Sequence, residues 1–299
     1  KLKNNMNLPL TIQGLSNPKA IKYIEKKGSA QVKSSIIFAG MRSNGTTIIK
    51  AKNSRTHTEV MCKNLSLPVR VRRKKNYDEI SVEKVRKIKK LNYNIPSDIS
   101  SASFFIVLTA LSQNSQLIIK NVNINLSRIG IIKILEKMGV KITLQNKKNY
   151  KGEIISDIKI KSSPKLKSIN CPAKLNSEAI DEFLLIFLCA AKAKGVSYFR
   201  DLEELNKKES PRLIWGSRIL NKMGVKNIMT KNSIKIYGNP NLKINKKIII
   251  KNYLKDHRVF MTSVIAALSF GGVWNIANPE SIKTSFPNFL RIINELKNK

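Results

Sequence analysis

Five short stretches of this sequence combine residue types that could bind or react. Asp181 and Glu182 stand immediately before the apolar run Phe183 to Ala191, where the dipole of a following helix favours anionic oxygens. A denser mixture of acid and base, Glu203-Glu204-Leu205-Asn206-Lys207-Lys208-Glu209-Ser210-Pro211-Arg212, leads into another helix. There Ser210 reads as the N-cap and Pro211 as the first helical residue. Lys255-Asp256-His257-Arg258 opens the last long helix. Nearer the start, Lys27-Gly28-Ser29-Ala30-Gln31-Val32-Lys33-Ser34 opens a helix whose free N–H groups, with Ser29, Gln31 and Ser34, could hold an anion. Ser54-Arg55-Thr56-His57-Thr58-Glu59 reads as a second Ser-capped start, carrying Arg55. Taken singly, each cluster is accounted for by helix capping or solvated charge. None fits a metal, Walker, dinucleotide or Ser-His-Asp pattern, so they must be judged together.

The elements that would position them repeat. Ala39-Gly40-Met41-Arg42-Ser43-Asn44-Gly45-Thr46-Thr47-Ile48-Ile49-Lys50 recurs in outline from Thr109, from Cys189 and from Ala266. Each copy reads as the end of a small-residue helix, a Gly-type stop and a short strand. Ile134-Leu135-Glu136-Lys137-Met138-Gly139-Val140 matches Ile219-Leu220-Asn221-Lys222-Met223-Gly224-Val225, giving a second helix, a stop and a further strand. Ile129, Ile132, Ile134, Leu135 and Met138 then place one helix face on a sheet. Asp98, within Pro96-Ser97-Asp98-Ile99-Ser100, is placed to cap a helix, and a domain boundary is expected near residue 95. That leaves one copy in 1–95 and three in 96–299, so the first domain is expected to be incomplete, with uncovered apolar faces.

Composition excludes several classes. The chain has 299 residues, 42% hydrophobic, and its longest apolar run falls well short of the ~20 residues a membrane span needs. Three widely spaced cysteines and two histidines indicate neither a disulfide framework nor a zinc site, and a reducing cytoplasm is the simplest setting. The net charge of +37 and the basic clusters 70–75 and 84–90 raise nucleic acid as a partner. Lysine dominates over arginine, however, Asn and Ile are equally inflated as AT-rich codons produce, and aromatics are only 6%. Solvated surface charge is therefore the expectation, and nucleic acid is not an expected partner.

In chain order and spacing the five clusters resemble the 5-enolpyruvylshikimate-3-phosphate synthase family, from about Leu8 to Leu296. Ser-Ala-Gln-Val-Lys-Ser stands at 29–34, Ser-Arg-Thr-His-Thr-Glu at 54–59 with Thr56 for the family's Asp, and Pro-Ser-Asp-Ile-Ser-Ser-Ala at 96–102 with Ser97 for Gly. Ile180-Asp181-Glu182, Lys208-Glu209-Ser210, Asp256-His257-Arg258 and Ser285-Phe286-Pro287 also match. The resemblance implies an α/β fold, a two-domain inverse α/β barrel of repeated βαβαββ units with substrates in the cleft between domains. Four of six units would be present here. The two absent ones would carry the family's Asp-Lys-Ser-x-Ser-x-Arg and Gly-Asn-Ala-Gly-Thr motifs, so the 299-residue chain alone is expected not to turn over.

The implied reaction is transfer of the enolpyruvyl group of phosphoenolpyruvate to the 5-hydroxyl of shikimate 3-phosphate, without metal or cofactor, by a monomer when complete. The resemblance makes Ser29, Ala30, Gln31, Arg55 and Lys208 binding residues for shikimate 3-phosphate, and Gln31, Arg212 and Arg258 binding residues for phosphoenolpyruvate. Asp181 would contact shikimate 3-phosphate and take the 5-hydroxyl proton; Glu209 would move a proton at the methylene. Addition and elimination through a tetrahedral intermediate need acid and base on opposite sides of the reacting carbons, and two anionic substrates need fixed cations. Asn206 and Pro211 depart from the family pattern, and 62–92 fits it poorly. The sister transferases acting on UDP-N-acetylglucosamine lack the Ser-Ala-Gln-Val-Lys-Ser and Lys-Glu-Ser signatures; an inactive fragment and a basic RNA-binding protein on the same scaffold are the remaining alternatives. Asp181, Lys208, Glu209, Arg212 and Arg258 are expected on one face of the second domain.

Overall fold

The computed structural model describes residues 13–297; the ends of both expected domains, 1–12 and 298–299, lie outside the described residues. The chain divides into two compact units, Lys1–Tyr93 and Asn94–Lys299. The first is built from β1 (Lys22–Glu25), α1 (Ala30–Gly40), β2 (Thr47–Lys52), α2 (His57–Asn64), β3 (Val69–Arg73) and β4 (Tyr77–Val82). Its sheet runs β1-β2-β4-β3, with β1 and β2 parallel and the other pairs antiparallel. Parallel neighbours require a crossover, and α1 supplies it; the hairpin β3–β4 then adds to the free side of β2.

The second unit writes the same plan again. It contains α3 (Ile99–Leu111), β5 (Gln116–Asn123), α4 (Gly130–Lys137), β6 (Lys141–Tyr150) and β7 (Glu153–Lys161), with sheet order β5-β7-β6. Next come α5 (Phe183–Lys192), β8 (Gly195–Phe199), α6 (Arg212–Lys222), β9 (Asn227–Met229) and β10 (Ile234–Gly238), in order β8-β10-β9. In place of a full first strand, these two modules have the parallel bridges Ser97 to Val122 and Asn170 to Tyr198. The last module pairs β11 (Lys247–Ile250) in parallel with β12 (Val273–Ile276) around α7 (His257–Phe270), and continues to α8 (Phe289–Lys297).

Local chemistry fixes the module boundaries. Asp98 accepts a hydrogen bond from Ser101 N at 2.9 Å, and Asp256 accepts one from Arg258 N at 2.9 Å, so α3 and α7 begin at side-chain caps. Helices α4 and α6 end alike: Gly139 (φ +90°) and Gly224 (φ +81°) take the left-handed conformation. Val140 N and Val225 N then return to Leu135 O and Leu220 O, both at 2.9 Å. The two Met-Gly-Val repeats in the sequence are these two stops.

The core of the second unit lies between its first helices. Every residue of α5 from Phe183 to Ala191 is buried, and α3, α5 and α7 pack on one another. A helix apolar on all sides has no solvent face to offer and so takes the centre. Edge-on contacts of Phe199 with Phe183 and of Phe104 with Phe289 tie strand and terminal helix to that centre. In the first unit the core is small, around Ile37, Ile49, Cys62, Ile80 and Val82. Helix α1 there leaves Phe38 57% and Val32 40% exposed. The basic cluster 70–75 forms β3 and its turn, with Arg70 and Arg72 exposed and paired across from Ser81 and Glu79.

One close approach sets the spacing of α5 and α6. A Cβ built on Gly216 would lie 2.7 Å from the Phe187 ring, inside any real contact distance. Gly216→Ala is therefore expected to destabilise the second unit by about 1–3 kcal/mol through overpacking, read as a shift in denaturant midpoint at constant slope.

Candidate active site

The second unit gathers the starts of α5, α6 and α7 at one place. Its organising contact is Arg212, only 3% exposed, against Asp256, whose side chain is fully buried. Arg212 donates from Nε to Asp256 Oδ2 at 2.8 Å and from Nη2 to Oδ1 at 3.2 Å, a two-pronged grip that fixes the guanidinium plane. The same guanidinium reaches two more carboxylates. Its Nη1 is 3.5 Å from Asp181 Oδ1, and its Nη2 is 3.4 Å from Glu209 Oε2.

The remaining cations close around Asp181. Lys208 Nζ lies 3.5 Å from its Oδ1, and Arg258 Nη1 donates to its backbone carbonyl at 3.0 Å across a separation of 77 residues. All five residues expected on one face of the second domain, Asp181, Lys208, Glu209, Arg212 and Arg258, thus form a connected set. Glu209 is half exposed and receives a further contact, His257 Nδ1 to Oε2 at 3.0 Å. Burial lowers the His257 pKa, with the Arg258 and Arg212 charges adding and Glu209 and Asp256 opposing. For Asp256, burial pushes up, but the Arg212 hydrogen bond and charge, Ser210 and the Arg258 N–H together bring its pKa below the usual carboxylate value.

Two capping expectations are corrected. Helix α6 starts at Arg212, with Pro211 in the cap position, and Ser210 does not cap it. Its hydroxyl instead donates to Asp256 Oδ2 at 2.8 Å, a charge-assisted bond to a buried carboxylate. Likewise α2 starts at His57 with Thr56 at its cap and no side-chain cap bond, so Ser54 is not its cap.

The first unit places its own candidates on two adjoining helix starts. Glu25 accepts from Lys27 N at 2.9 Å and Gly28 N at 2.7 Å, turning the chain into α1, where Ser29 accepts from Val32 N at 3.3 Å. Ala30 and Gln31 form the first turn. Lys33 then runs inward, its ammonium 2.6 Å from Glu59 and donating to Arg55 O at 2.8 Å. Ser34 and Thr58 share a 2.6 Å hydroxyl bond. The Lys and Glu of the two motifs are thus the buried rivet that holds Ser29, Ala30 and Gln31 beside Arg55.

Sequence reasoning missed Asp256, Ser100, Arg128 and Glu182 as supports of the site. Asp256, Glu182 and Ser100 stand in stretches that the sequence marks, but their supporting roles, like that of Arg128, show only once the helices are packed. As a metal centre, Glu209, Asp256 and His257 offer donor atoms within 4.8 Å of one another. Two guanidiniums beside them and the commitment of both Asp256 oxygens to Arg212 oppose a cation there. Cys171 and Cys189 are buried and free, and burial pushes their thiols up to about 11 and about 12, so neither offers a thiolate nucleophile at neutral pH.

Removing one partner of a buried pair leaves the other charge uncompensated. Asp256→Ala and Lys33→Met are each expected to cost about 3–5 kcal/mol of stability in denaturant titration. Because both His257 and Asp256 have folded pKa values below their unfolded ones, the stability they contribute is fully present above the unfolded values and is lost as pH falls through the folded ones. An NMR titration is expected to show His257 protonating below the ordinary value of 6.5, and the unfolding free energy to fall over the same range.

Comparison with known proteins gives this arrangement a setting. The family model described as EPSP synthase (3-phosphoshikimate 1-carboxyvinyltransferase) matches residues 1–293. A 3-phosphoshikimate 1-carboxyvinyltransferase of Ruthia magnifica subsp. Calyptogena magnifica is 37% identical over 294 residues, 98% of this chain and 66% of the relative. The chain thus spans about two thirds of the length of such relatives. The solved EPSP synthase of Acinetobacter baumannii superposes with a TM-score of 0.83 at 35% identity, covering 93% of this chain and 62% of that one. The enolpyruvyl transferase NikO of Streptomyces tendae, at 13% identity and a TM-score of 0.71, shares the fold over 93% of this chain and 64% of its own. With its α/β modules and this extent of match, the chain belongs to the EPSP synthase family.

Proposed function

We propose that this chain supplies the binding and proton-transfer residues for moving the enolpyruvyl group of phosphoenolpyruvate to the 5-hydroxyl of shikimate 3-phosphate, with release of phosphate. The observation that carries this reading is the connected set Asp181, Lys208, Glu209, Arg212 and Arg258 on three helix starts of one unit. It supplies two carboxylates and three fixed cations, the inventory for moving protons on anionic substrates.

In this reading Arg212 and Arg258 hold the carboxylate and phosphate of phosphoenolpyruvate, to which planar guanidiniums are suited. Asp181 takes the proton of the attacking hydroxyl, with Lys208 beside it to bind shikimate 3-phosphate. Glu209 delivers a proton to the methylene carbon as the tetrahedral intermediate forms and removes one as phosphate leaves; His257, against its carboxylate, orients it. In the first unit, Ser29, Ala30, Gln31 and Arg55 offer N–H groups, hydroxyl, amide and guanidinium to shikimate 3-phosphate, and Gln31 also to phosphoenolpyruvate. The chemistry asks for no metal or cofactor. Among the described residues no helix is long and apolar enough to cross a membrane, and a cytoplasmic monomer fits the reading.

Isothermal titration of the chain with phosphoenolpyruvate is expected to show binding that weakens at least 30-fold in Arg258→Ala, as for loss of a buried charge contact. With the remaining third of a curated relative supplied as a second polypeptide, phosphate release from both substrates is expected. Asp181→Asn or Glu209→Gln should lower that turnover about 10²–10⁴-fold, the usual worth of a general acid or base. Full turnover in both variants, or binding indifferent to Arg258, overturns the assignment.

A further inference from the structure

Behind Arg258 lies a group that the reaction does not use directly. The Glu182 side chain is 1% exposed, sits at the cap of α5 and makes no cap bond to its own helix. Its Oε1 instead accepts a short hydrogen bond from Ser100 Oγ on α3 and lies 3.8 Å from Arg258 Nη1 on α7. Ser100 in turn is contacted by Nη2 of Arg128, which precedes α4 and reaches Asp98 Oδ1 at 3.4 Å. The starts of α3, α5 and α7 therefore meet at one buried carboxylate, and Arg128, just before α4, reaches it through Ser100.

Burying a carboxylate is costly, and an apolar side chain of the same size would serve a core at least as well. Burial indeed pushes the Glu182 carboxyl up, against the pull of the Arg258 and Arg128 charges and the Ser100 hydroxyl, while Asp181 adds to the rise. What the carboxylate gains for that cost is geometric. Arg258 Nη1 is caught between the Asp181 carbonyl at 3.0 Å and Glu182 at 3.8 Å, while its backbone N–H is held by Asp256 at 2.9 Å. Its side chain is thereby restrained at both ends, and little of its rotamer freedom remains to be lost when an anion binds.

We infer that Glu182, anchored by Ser100 and Arg128, is a positioning residue that fixes the Arg258 guanidinium for anion binding. The inference rests on the reading of Arg258 as a phosphoenolpyruvate-binding arginine, but it concerns the order of that side chain before any ligand arrives.

The test uses the full chain with ¹⁵N-labelled arginine, assigning the Arg258 Nε–Hε resonance by its loss in Arg258→Lys, and phosphoenolpyruvate as the titrant. Glu182→Gln, which keeps shape and removes charge, is expected to drop the heteronuclear NOE of that resonance to the level of an exposed arginine and to weaken phosphoenolpyruvate about 10-fold. Ser100→Ala should move both readouts in the same direction by less. An Arg258 resonance as ordered in Glu182→Gln as in the parent, with affinity within 2-fold, overturns the inference. Should Glu182→Gln not fold, Ser100→Ala decides on the same two readouts. Loss of order without loss of affinity upholds the positioning role and instead removes Arg258 from the proposed binding site.

Discussion

The second unit depends on a single buried grip, Arg212 on Asp256. Asp256 caps α7 through the Arg258 N–H, accepts from Ser210 and takes two hydrogen bonds from Arg212. One carboxylate therefore docks the start of α6 onto the start of α7. It also decides which edge of the arginine remains to face Asp181 and Glu209. A guanidinium left without this partner would keep its charge but lose its direction, and direction is what distinguishes a binding cation from a surface one.

The same logic runs through the first unit at smaller scale. Lys33 and Glu59 face each other in an interior with few apolar side chains, and the lysine also holds the Arg55 carbonyl. In both units, charge inside the fold orients charge at its edge. Both arrangements stand at helix starts: Lys33 and Glu59 on α1 and α2 of one module, Arg212 and Asp256 at α6 and α7 of successive modules.

Much of this was legible from residues. The four helix-to-strand repeats, the Gly139 and Gly224 stops, the Asp98 cap and the meeting of Asp181, Lys208, Glu209, Arg212 and Arg258 all follow from spacing, motif and the stacking of like modules. What escaped was competition. Ser210 and Ser54 have the chemistry of caps, and local rules assign them so, yet Ser210 is drawn to a carboxylate 46 residues away. Ser100 and Glu182 stand in motifs the sequence marks and Arg128 in none, but what each supports lies on another helix.

The separation of the contacts along the chain has a thermodynamic side. Asp181 and Arg258 touch across 77 residues, and Arg212 joins Asp256 across 44. No local or partly folded segment can present these groups together, so a ligand that needs all of them recognises native chains alone. Such selectivity couples occupancy to folding: a ligand at a hundred times its dissociation constant would add about 2.7 kcal/mol to the stability of the unit. That is a sizeable share of what holds an ordinary domain together. In a cell, the level of such a ligand would then set not only how often the site is filled but how much of the protein survives.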